Sequence, residues 1–156
     1  MLKPTKKNQM AQKLKSMKIS EVMIRPVVCT SPDTSAHDIL EKLNSCQYSG
    51  IPVVEDNILI GMVSERDILE LFIQGKNLKC TFARDFMIQN VITAEQDSLI
   101  LPVIKTVIDN QILRLPITHQ GKLVGIVTRH DLLKYILDTT PEFALISWKI
   151  FALPFL

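Results

Sequence analysis

The chain has 156 residues, of which 47% are hydrophobic, and 18 basic against 16 acidic side chains give a formal net charge of +2. This length suits one compact domain or two small intertwined units with a buried core, and the nearly balanced charge gives no reason to expect nucleic acid or an anionic membrane as a partner. Cys29, Cys46 and Cys80 form no Cys-x-x-Cys motif and no Cys/His cluster, which argues against a disulfide framework and against a zinc site. We therefore expect a protein of the reducing cytoplasm.

Residues 1–18 form a basic N-terminal arm that contains six lysines and no acidic residue. Met10, Leu14 and Met17 are spaced to form one apolar stripe of a helix. We favour a solvated leader whose stripe packs on the domain, and the alternative is an arm that binds nucleic acid or a partner. No uninterrupted apolar run approaches the roughly 20 residues of a spanning helix, so we expect no transmembrane segment.

The chain repeats itself at an interval of 64 residues. Residues 20–73 align with residues 84–137 without a gap and with eleven identities. A repeat of this kind predicts two copies of one unit, each incomplete alone. The predicted segments are repeat 1 at 19–74, a connector at 75–83, repeat 2 at 84–138 and an apolar C-terminal tail at 139–156.

Each repeat begins with a short β-prone run, at 27–29 in one copy and 91–93 in the other, followed by turn residues. An amphipathic helix comes next, and in the first copy Thr34 or Ser35 is its N-cap. Pro102 interrupts the corresponding helix of the second copy. We therefore expect that helix to start later or to bend.

The second half of each repeat is predicted to be a β-hairpin followed by a helix. Strands are expected at 51–54 and 115–118, with a proline at the strand start, where a missing N–H does least harm. Turns are expected at 55–57 and 119–121. A third strand then runs into Ser64 or Thr128 and the closing helix. The fold class is therefore α/β, with two β-α-β-β-α units.

The junctions between the third strand and the closing helix, at 61–67 and 125–131, carry the clearest chemical signal. Ser64 and Thr128 are preferred N-cap residues, and each opens a turn whose free backbone N–H groups favour an anion. The carboxylate three residues later either completes a capping box or accepts hydrogen bonds from a vicinal diol such as a ribose. Because the pattern occurs twice at a fixed interval, we favour a nucleotide site over two merely well-capped helices.

In the order of these motifs the chain resembles a tandem pair of CBS domains, the regulatory module named after cystathionine β-synthase. The resemblance covers residues 19–137. It rests on the entry motifs at 21–23 and 85–87, the run at 27–35, the Gly-Ile-Pro-Val-Val run at 50–54 and the two junctions. It implies two repeats packed sheet to sheet about a pseudo-twofold axis, two clefts for adenosine-containing ligands, and a homodimer.

The resemblance also implies which residues bind a ligand. The aspartate of each junction would hold the ribose, the Ser or Thr with the helix N-terminus would hold phosphate, and main chain beside the proline would meet the adenine. The first cleft would use Ser49, Gly50, Ile51, Pro52, Ser64 and Asp67. The second would use Leu113, Arg114, Leu115, Pro116, Thr128 and Asp131. The family often has threonine at the end of the first strand. The second repeat has threonine there (Thr93) and the first has cysteine (Cys29), so the second cleft matches the family's usual binding residues slightly better.

Several cations lie beside these positions. Arg114 is placed to neutralise a phosphate. Arg66, Arg129 and His130 lie in the first turns of the closing helices, where a bare helix prefers acidic residues. They either share a bound anion or are ordinary surface charges.

The sequence gives no sign of an active site, because His37, His119 and His130 fall in dissimilar contexts with no repeated His/Cys/Asp grouping. We therefore predict a non-enzyme without catalytic cofactor or metal: a cytoplasmic regulatory, energy-sensing module that binds AMP, ADP or ATP. It would signal through a conformational change, as a homodimer, to a separate effector protein. The alternative is a ligand-free dimerisation or interaction module. The tail is expected on the domain, on a second subunit or at a membrane surface.

Overall fold

The computed structural model describes residues 14–139. Met10, most of the lysine-rich arm and the tail from residue 140 lie outside the described residues. Leu14 and Met17, the described part of the predicted apolar stripe, are both buried. Between residues 14 and 139 no helix combines the length and the apolarity needed to cross a bilayer.

The described chain contains two copies of an α-β-β-α arrangement, and only the second copy has the predicted leading strand as a short strand before its first long helix. The first half comprises a 3-10 turn (Ile19–Glu21), α1 (Ala36–Cys46), β1 (Gly50–Glu55), β2 (Ile58–Ser64) and α2 (Glu65–Ile73). The second half comprises α3 (Ala83–Phe86), β3 (Ala94–Glu95), α4 (Ile100–Asp109), β4 (Arg114–His119), β5 (Lys122–Thr128) and α5 (Arg129–Thr139). The predicted α/β class is confirmed.

The strands form one sheet in the order β1-β2-β5-β4-β3. β1–β2 and β4–β5 are antiparallel hairpins closed by two-residue turns, in which Asp56, Asn57, Gln120 and Gly121 all have positive φ. Two consecutive positive φ angles are typical of the type I′ turn, whose twist matches that of the strands it joins. The predicted hairpins are confirmed.

The two hairpins join where β2 and β5 begin. Ile58 lies opposite Lys122. The Leu59 N–H donates to the Gly121 carbonyl at 3.1 Å, and the Leu123 N–H donates to the Asn57 carbonyl at 2.9 Å. The contact is short, and it relates the two repeats through a pseudo-twofold axis.

The first strand of each repeat was predicted too early in the chain. Residues 27–29 form no strand, and only Thr30 makes a single parallel bridge to Val53. Residues 91–93 also form none, and β3 follows them beside β4. The reason is that each run crosses from one repeat to the other. In the first repeat the chain pairs with β5 at Ile24, opposite Ile126, and reaches the edge of β1 only at Thr30. High β-propensity produces a strand only where a partner strand is available.

The cap predicted for α1 is confirmed, whereas the late start predicted for α4 is wrong. The Ser35 hydroxyl caps α1 by accepting the Asp38 N–H at 3.1 Å, as predicted. α4 neither starts late nor is broken at its proline: it begins at Ile100, with Pro102 as its third residue. The N–H groups of the first turn have no intrahelical acceptor, so a proline there loses no helical hydrogen bond.

The two hydrophobic cores exchange their entry segments. The core under β1 and β2 includes Ala83, and Phe86 and Met87 of the second entry motif pack against it. The core under β4 and β5 includes Met23 of the first entry motif and Ile19, which precedes that motif. Each sequence repeat therefore completes the core of the other.

The glycine of each junction is explained by this exchange. A Cβ atom at Gly61 would lie 2.6 Å from the Met87 sulfur and 3.1 Å from the Ile88 carbonyl oxygen. A Cβ atom at Gly125 would lie 2.8 Å from the Met23 Cγ. Both strands need glycine because an entry segment of the other repeat lies directly against them.

Candidate functional site

The first junction is a complete capping box. Ser64 is the N-cap of α2, and its hydroxyl accepts the Asp67 N–H at 3.4 Å. The Oδ2 atom of Asp67 accepts the Ser64 N–H and the Ser64 hydroxyl, each at 2.7 Å. Both side chains are half-buried, so their geometry is fixed by the helix start.

The second junction repeats this geometry. The Oδ2 atom of Asp131 accepts the Thr128 N–H at 2.8 Å and the Thr128 hydroxyl at 2.6 Å. The Asp131 N–H donates back to the Thr128 hydroxyl at 3.1 Å. The capping interpretation is therefore confirmed at both sites.

The capping box uses only one oxygen of each carboxylate. Within residues 14–139, the Oδ1 atoms of Asp67 and Asp131 accept no hydrogen bond. A carboxylate has about four lone-pair positions, so the box leaves acceptor capacity for hydroxyl groups. The capping role and a diol-binding role are thus compatible in one side chain.

The proline strands lie beside the junctions. Gly50 of β1 pairs with Ser64, and Arg114 of β4 pairs with Thr128. The next residue of each strand, Ile51 or Leu115, points into a core and has no exposed surface, so only main-chain atoms at these positions could meet a ligand. Pro52 and Pro116 are buried as well.

Arg114 connects the two repeats. Its Nε donates to the Ser49 hydroxyl at 3.1 Å, and its guanidinium carbon lies 4.3 Å from the centroid of the Tyr48 ring. Ser49 and Tyr48 immediately precede β1, so the arginine of the second repeat is held by the first. The structure brings together the predicted Ser49 and Arg114.

The other predicted cations are not gathered in this way. Arg66 is exposed and binds Glu70, one turn along α2, at 2.9 Å. Arg129 donates from Nε to the Ile112 carbonyl at 2.8 Å, which anchors it to the loop before β4. His130 is exposed on the first turn of α5.

Cys29 and Thr93 lie before the first strand position of their repeats. Cys29 is half-buried, and its carbonyl accepts a hydrogen bond from the Lys42 ammonium at 3.0 Å. Thr93 is exposed. In the described chain neither side chain hydrogen-bonds to a junction residue.

A hollow of about 490 Å³ opens beside Asp67, between α2 and α3. This volume lies within the range of roughly 300–1,000 Å³ that is usual for small-molecule sites. Thr81 and Leu71 are among the residues that line it. The corresponding residues of the other repeat are Met17 and Tyr135, which contact each other through the tyrosine hydroxyl and the methionine sulfur. The second repeat therefore has larger side chains at these two positions.

One group of possible metal ligands lies away from both junctions. Suitable atoms of His37, Asp38 and Glu41 lie within 4.8 Å of one another on α1. Asp38 already accepts the Ser35 hydroxyl at 2.8 Å, and this bond, together with His37 and Lys79, holds the pKa of Asp38 below its ordinary value. The helix cap accounts for the ionised carboxylate without a metal.

Sequence reasoning missed Tyr48. The signal was present in the repeat alignment, in which Tyr48 corresponds to Ile112 and Gly50 corresponds to Arg114. An aromatic residue and a cation that each appear in only one copy are candidates for a contact between the copies.

Comparisons with known proteins agree with this architecture. The CBS domain family model matches residues 19–74 and 83–138. An uncharacterised protein of Methanopyrus kandleri is 37% identical over 135 residues, which cover 83% of this chain and 69% of that protein. The inosine-5'-monophosphate dehydrogenase of Methanocaldococcus jannaschii is 30% identical over 119 residues, which cover 75% of this chain but only 23% of the enzyme.

Solved structures of CBS-pair proteins have the same fold as this chain. CBSX2 in complex with AMP superimposes with a TM-score of 0.71 and 26% identity, covering 78% of this chain and 97% of CBSX2. The CBS-pair protein CBSX2 from Arabidopsis thaliana gives a TM-score of 0.73 at 24% identity, covering 81% of this chain and 98% of that one. The match of the family model to both repeats shows that this chain belongs to the CBS domain family and carries two CBS domains in tandem.

Proposed function

We propose that the protein is a non-catalytic regulatory module that binds AMP, ADP or ATP beside the two junctions and reports occupancy by a conformational change. The ribose would bind the free oxygen of Asp67 or Asp131, and the phosphate would lie at the N-terminus of α2 or α5. Adenine would lie against the main chain of β1 or β4.

The observation that carries this proposal is the matched pair of capping boxes. Each box fixes its carboxylate with one oxygen and leaves the other unbound beside a helix N-terminus, where backbone N–H groups favour an anion. Acceptors for a diol beside donors for a phosphate are the chemistry that a nucleotide requires. Capping alone needs only one of the two oxygens.

The similarity to CBSX2, solved in complex with AMP, supports the choice of an adenine nucleotide. The dehydrogenase supports no catalytic assignment, because the chain spans less than a quarter of its length. Within residues 14–139 no cysteine hydrogen-bonds to a histidine, which leaves a thiol nucleophile without a base.

The conformational output would use the short contact between β2 and β5. The two hairpins pair directly at one position, so a change in their relative angle would disrupt few sheet hydrogen bonds between them. A ligand that contacts both repeats shifts this angle only if it binds one arrangement more tightly than the other.

Differential scanning fluorimetry with AMP, ADP, ATP, adenosine and GMP tests the binding proposal. We expect adenine nucleotides to raise Tm, and the rise should increase with ligand concentration. A ligand that binds only the folded state adds about 2.7 kcal/mol to the free energy of unfolding at a concentration of a hundred times its Kd. Asp67→Asn and Asp131→Asn should each remove one site. Asp38→Asn is the matched control, because it alters a capping carboxylate that lies outside both junctions. Absence of any shift with all adenosine compounds would leave the ligand-free module as the better description.

We also infer that the protein forms a homodimer through α2 and α5. Both helices present large apolar side chains to solvent at matched repeat positions: Leu69 corresponds to Leu133, and Ile73 (84% exposed) to Leu137. Phe72 of α2 is 73% exposed. An apolar face that repeats about a pseudo-twofold axis suits the self-complementary contact of a twofold dimer.

Light scattering coupled to size exclusion chromatography tests the dimer separately from the ligand. We expect a dimer that Ile73→Glu combined with Leu137→Glu converts to a monomer, because a charge cannot be desolvated in such an interface without a partner. Lys134→Glu, on the exposed surface of α5, is the control for an added charge. A monomeric wild-type protein at micromolar concentration would contradict this part of the proposal.

A further inference from the structure

We infer that the second nucleotide site is completed by the first repeat: Tyr48 and Ser49 hold the Arg114 guanidinium in place to bind the phosphate of a ligand at Thr128. This inference rests on the proposed function and adds that the two sites recognise different parts of the ligand. The second site would recognise the phosphate, and the first site would recognise mainly the nucleoside.

The sheet register places the main chain of Arg114 at the second junction. Arg114 and Thr128 are directly paired across β4 and β5. Side chains of directly paired residues project from the same face of a sheet, with their Cβ atoms about 4.5–5.5 Å apart. The guanidinium therefore belongs to the same face as the hydroxyl that begins α5.

Two residues of the other repeat fix the orientation of this guanidinium. The Ser49 hydroxyl binds Nε at 3.1 Å, and the Tyr48 ring covers one face at 4.3 Å. Within residues 14–139 the two terminal NH₂ groups of Arg114 donate no hydrogen bond. The end of the fork that binds phosphate is thus left available while the rest of the group is held.

The first repeat has no arginine of its own at the matched position. Gly50 is the residue paired with Ser64, and a Cβ atom there would lie 3.0 Å from the Val63 carbonyl oxygen. The residues that correspond to Tyr48 and Ser49 are Ile112 and Leu113, which offer neither an aromatic face suited to a cation nor a hydroxyl. The two repeats therefore differ at three consecutive matched positions, 48–50 and 112–114, and only the second repeat has an arginine there.

Preorganisation of the Arg114 side chain lowers the entropic cost of binding a phosphate. A free arginine side chain loses rotamer freedom when it closes on a phosphate, and a side chain that is already held loses less. Loss of Tyr48 or Ser49 should therefore weaken phosphate binding although neither residue touches the phosphate. Both are positioning residues.

Isothermal titration calorimetry on the full chain, with AMP and adenosine as separate ligands, tests this arrangement. Arg114→Ala should weaken AMP binding about tenfold or more, in keeping with a hydrogen bond between charged groups, and should change adenosine binding less than twofold. Tyr48→Leu and Ser49→Ala should each weaken AMP binding several-fold. Tyr48→Phe and Ser49→Thr, which keep the ring and the hydroxyl, should bind AMP as the wild type does.

A double substitution separates positioning from general damage. Tyr48→Leu combined with Arg114→Ala should bind AMP no more weakly than Arg114→Ala alone, because the tyrosine acts only through the arginine. Unchanged adenosine affinity in every variant shows that the sites are folded.

The inference fails if wild-type protein binds AMP and adenosine equally well, or if Tyr48→Leu and Ser49→Ala leave the ratio of the two affinities unchanged; the proposed function survives both results. If none of AMP, ADP, ATP and adenosine binds the wild-type protein, the proposed function itself is wrong.

Discussion

The two junctions share one backbone geometry and differ in what surrounds it. Oδ2 of Asp67 accepts the Ser64 N–H at 2.7 Å, and Oδ2 of Asp131 accepts the Thr128 N–H at 2.8 Å. Yet the residue paired with the hydroxyl residue is Gly50 at the first junction and Arg114 at the second. The hollow beside Asp67 is lined by Thr81 and Leu71, where the second repeat has Met17 and Tyr135. The repeat thus preserves the capping box, while the flanking residues have diverged and can give each site its own ligand preference.

A second contrast separates the sequence repeat from the folding unit. The alignment divides the chain into two consecutive copies, but Met23 of the first copy lies in the core of the second, and Met87 of the second copy packs against the core of the first. Neither copy can bury its own core completely. We therefore expect the two halves to unfold together, and variants at matched positions can test this.

The largest effect is expected from Ile51→Ala and Leu115→Ala, the matched core residues of β1 and β4. Both side chains are fully buried, so each substitution should lower the free energy of unfolding by about 2–5 kcal/mol. Because the entry segments are exchanged, each variant should still unfold in one transition. Urea denaturation followed by circular dichroism, together with calorimetry, measures both quantities.

Lys105→Ala, on the exposed surface of α4, is the control and should stay within about 0.5 kcal/mol of the wild type. Two separate transitions, of which only one moves with each variant, would show that the repeats fold independently despite their exchanged segments.

A smaller effect is expected at the junction glycines. A Cβ atom at Gly61 would meet Met87, and one at Gly125 would meet Met23, so Gly61→Ala and Gly125→Ala should each cost about 1–3 kcal/mol. Combining Gly125→Ala with Met23→Ala removes the clash, and the double variant should cost less than the sum of the two singles. Strict additivity in denaturant unfolding would mean that the entry segment does not lie against β5.

Much of the fold followed from local patterns in the sequence. The α/β class and both hairpins were predicted, Ser35 was one of two candidates for the cap of α1, and the capping box was one of two interpretations of each junction. Neighbouring residues determine all of these features. The early strands at 27–29 and 91–93 were wrong because β-propensity does not reveal that the chain is crossing between repeats there. The same crossing explains why the role of the junction glycines was not predicted.

The candidate site shows the same limit. Ser64, Thr128 and their aspartates could be found from a short motif, whereas the contact of Arg114 with Tyr48 joins residues 66 positions apart. Spacing along one chain cannot predict a contact across a pseudo-twofold axis. Differences between the copies at matched positions were the only sequence signal for it.

The smallest effect compares the starts of α1 and α4, of which only the first has a side-chain cap. The Ser35 hydroxyl, followed by His37 and Lys79, holds the pKa of Asp38 below its ordinary value, whereas Leu99 offers no cap to α4. A depressed folded-state pKa means that the stabilisation is complete above the unfolded pKa of about 3.9 and is lost as pH falls through the lower folded-state value. Asp38→Asn should therefore lower Tm slightly at pH 6 and not at pH 2, measured by calorimetry. In a Ser35→Ala background the difference at pH 6 should shrink, because the hydroxyl that depresses the pKa is gone. An equal loss of Tm at both pH values would mean that Asp38 stabilises the helix through packing and not through its charge.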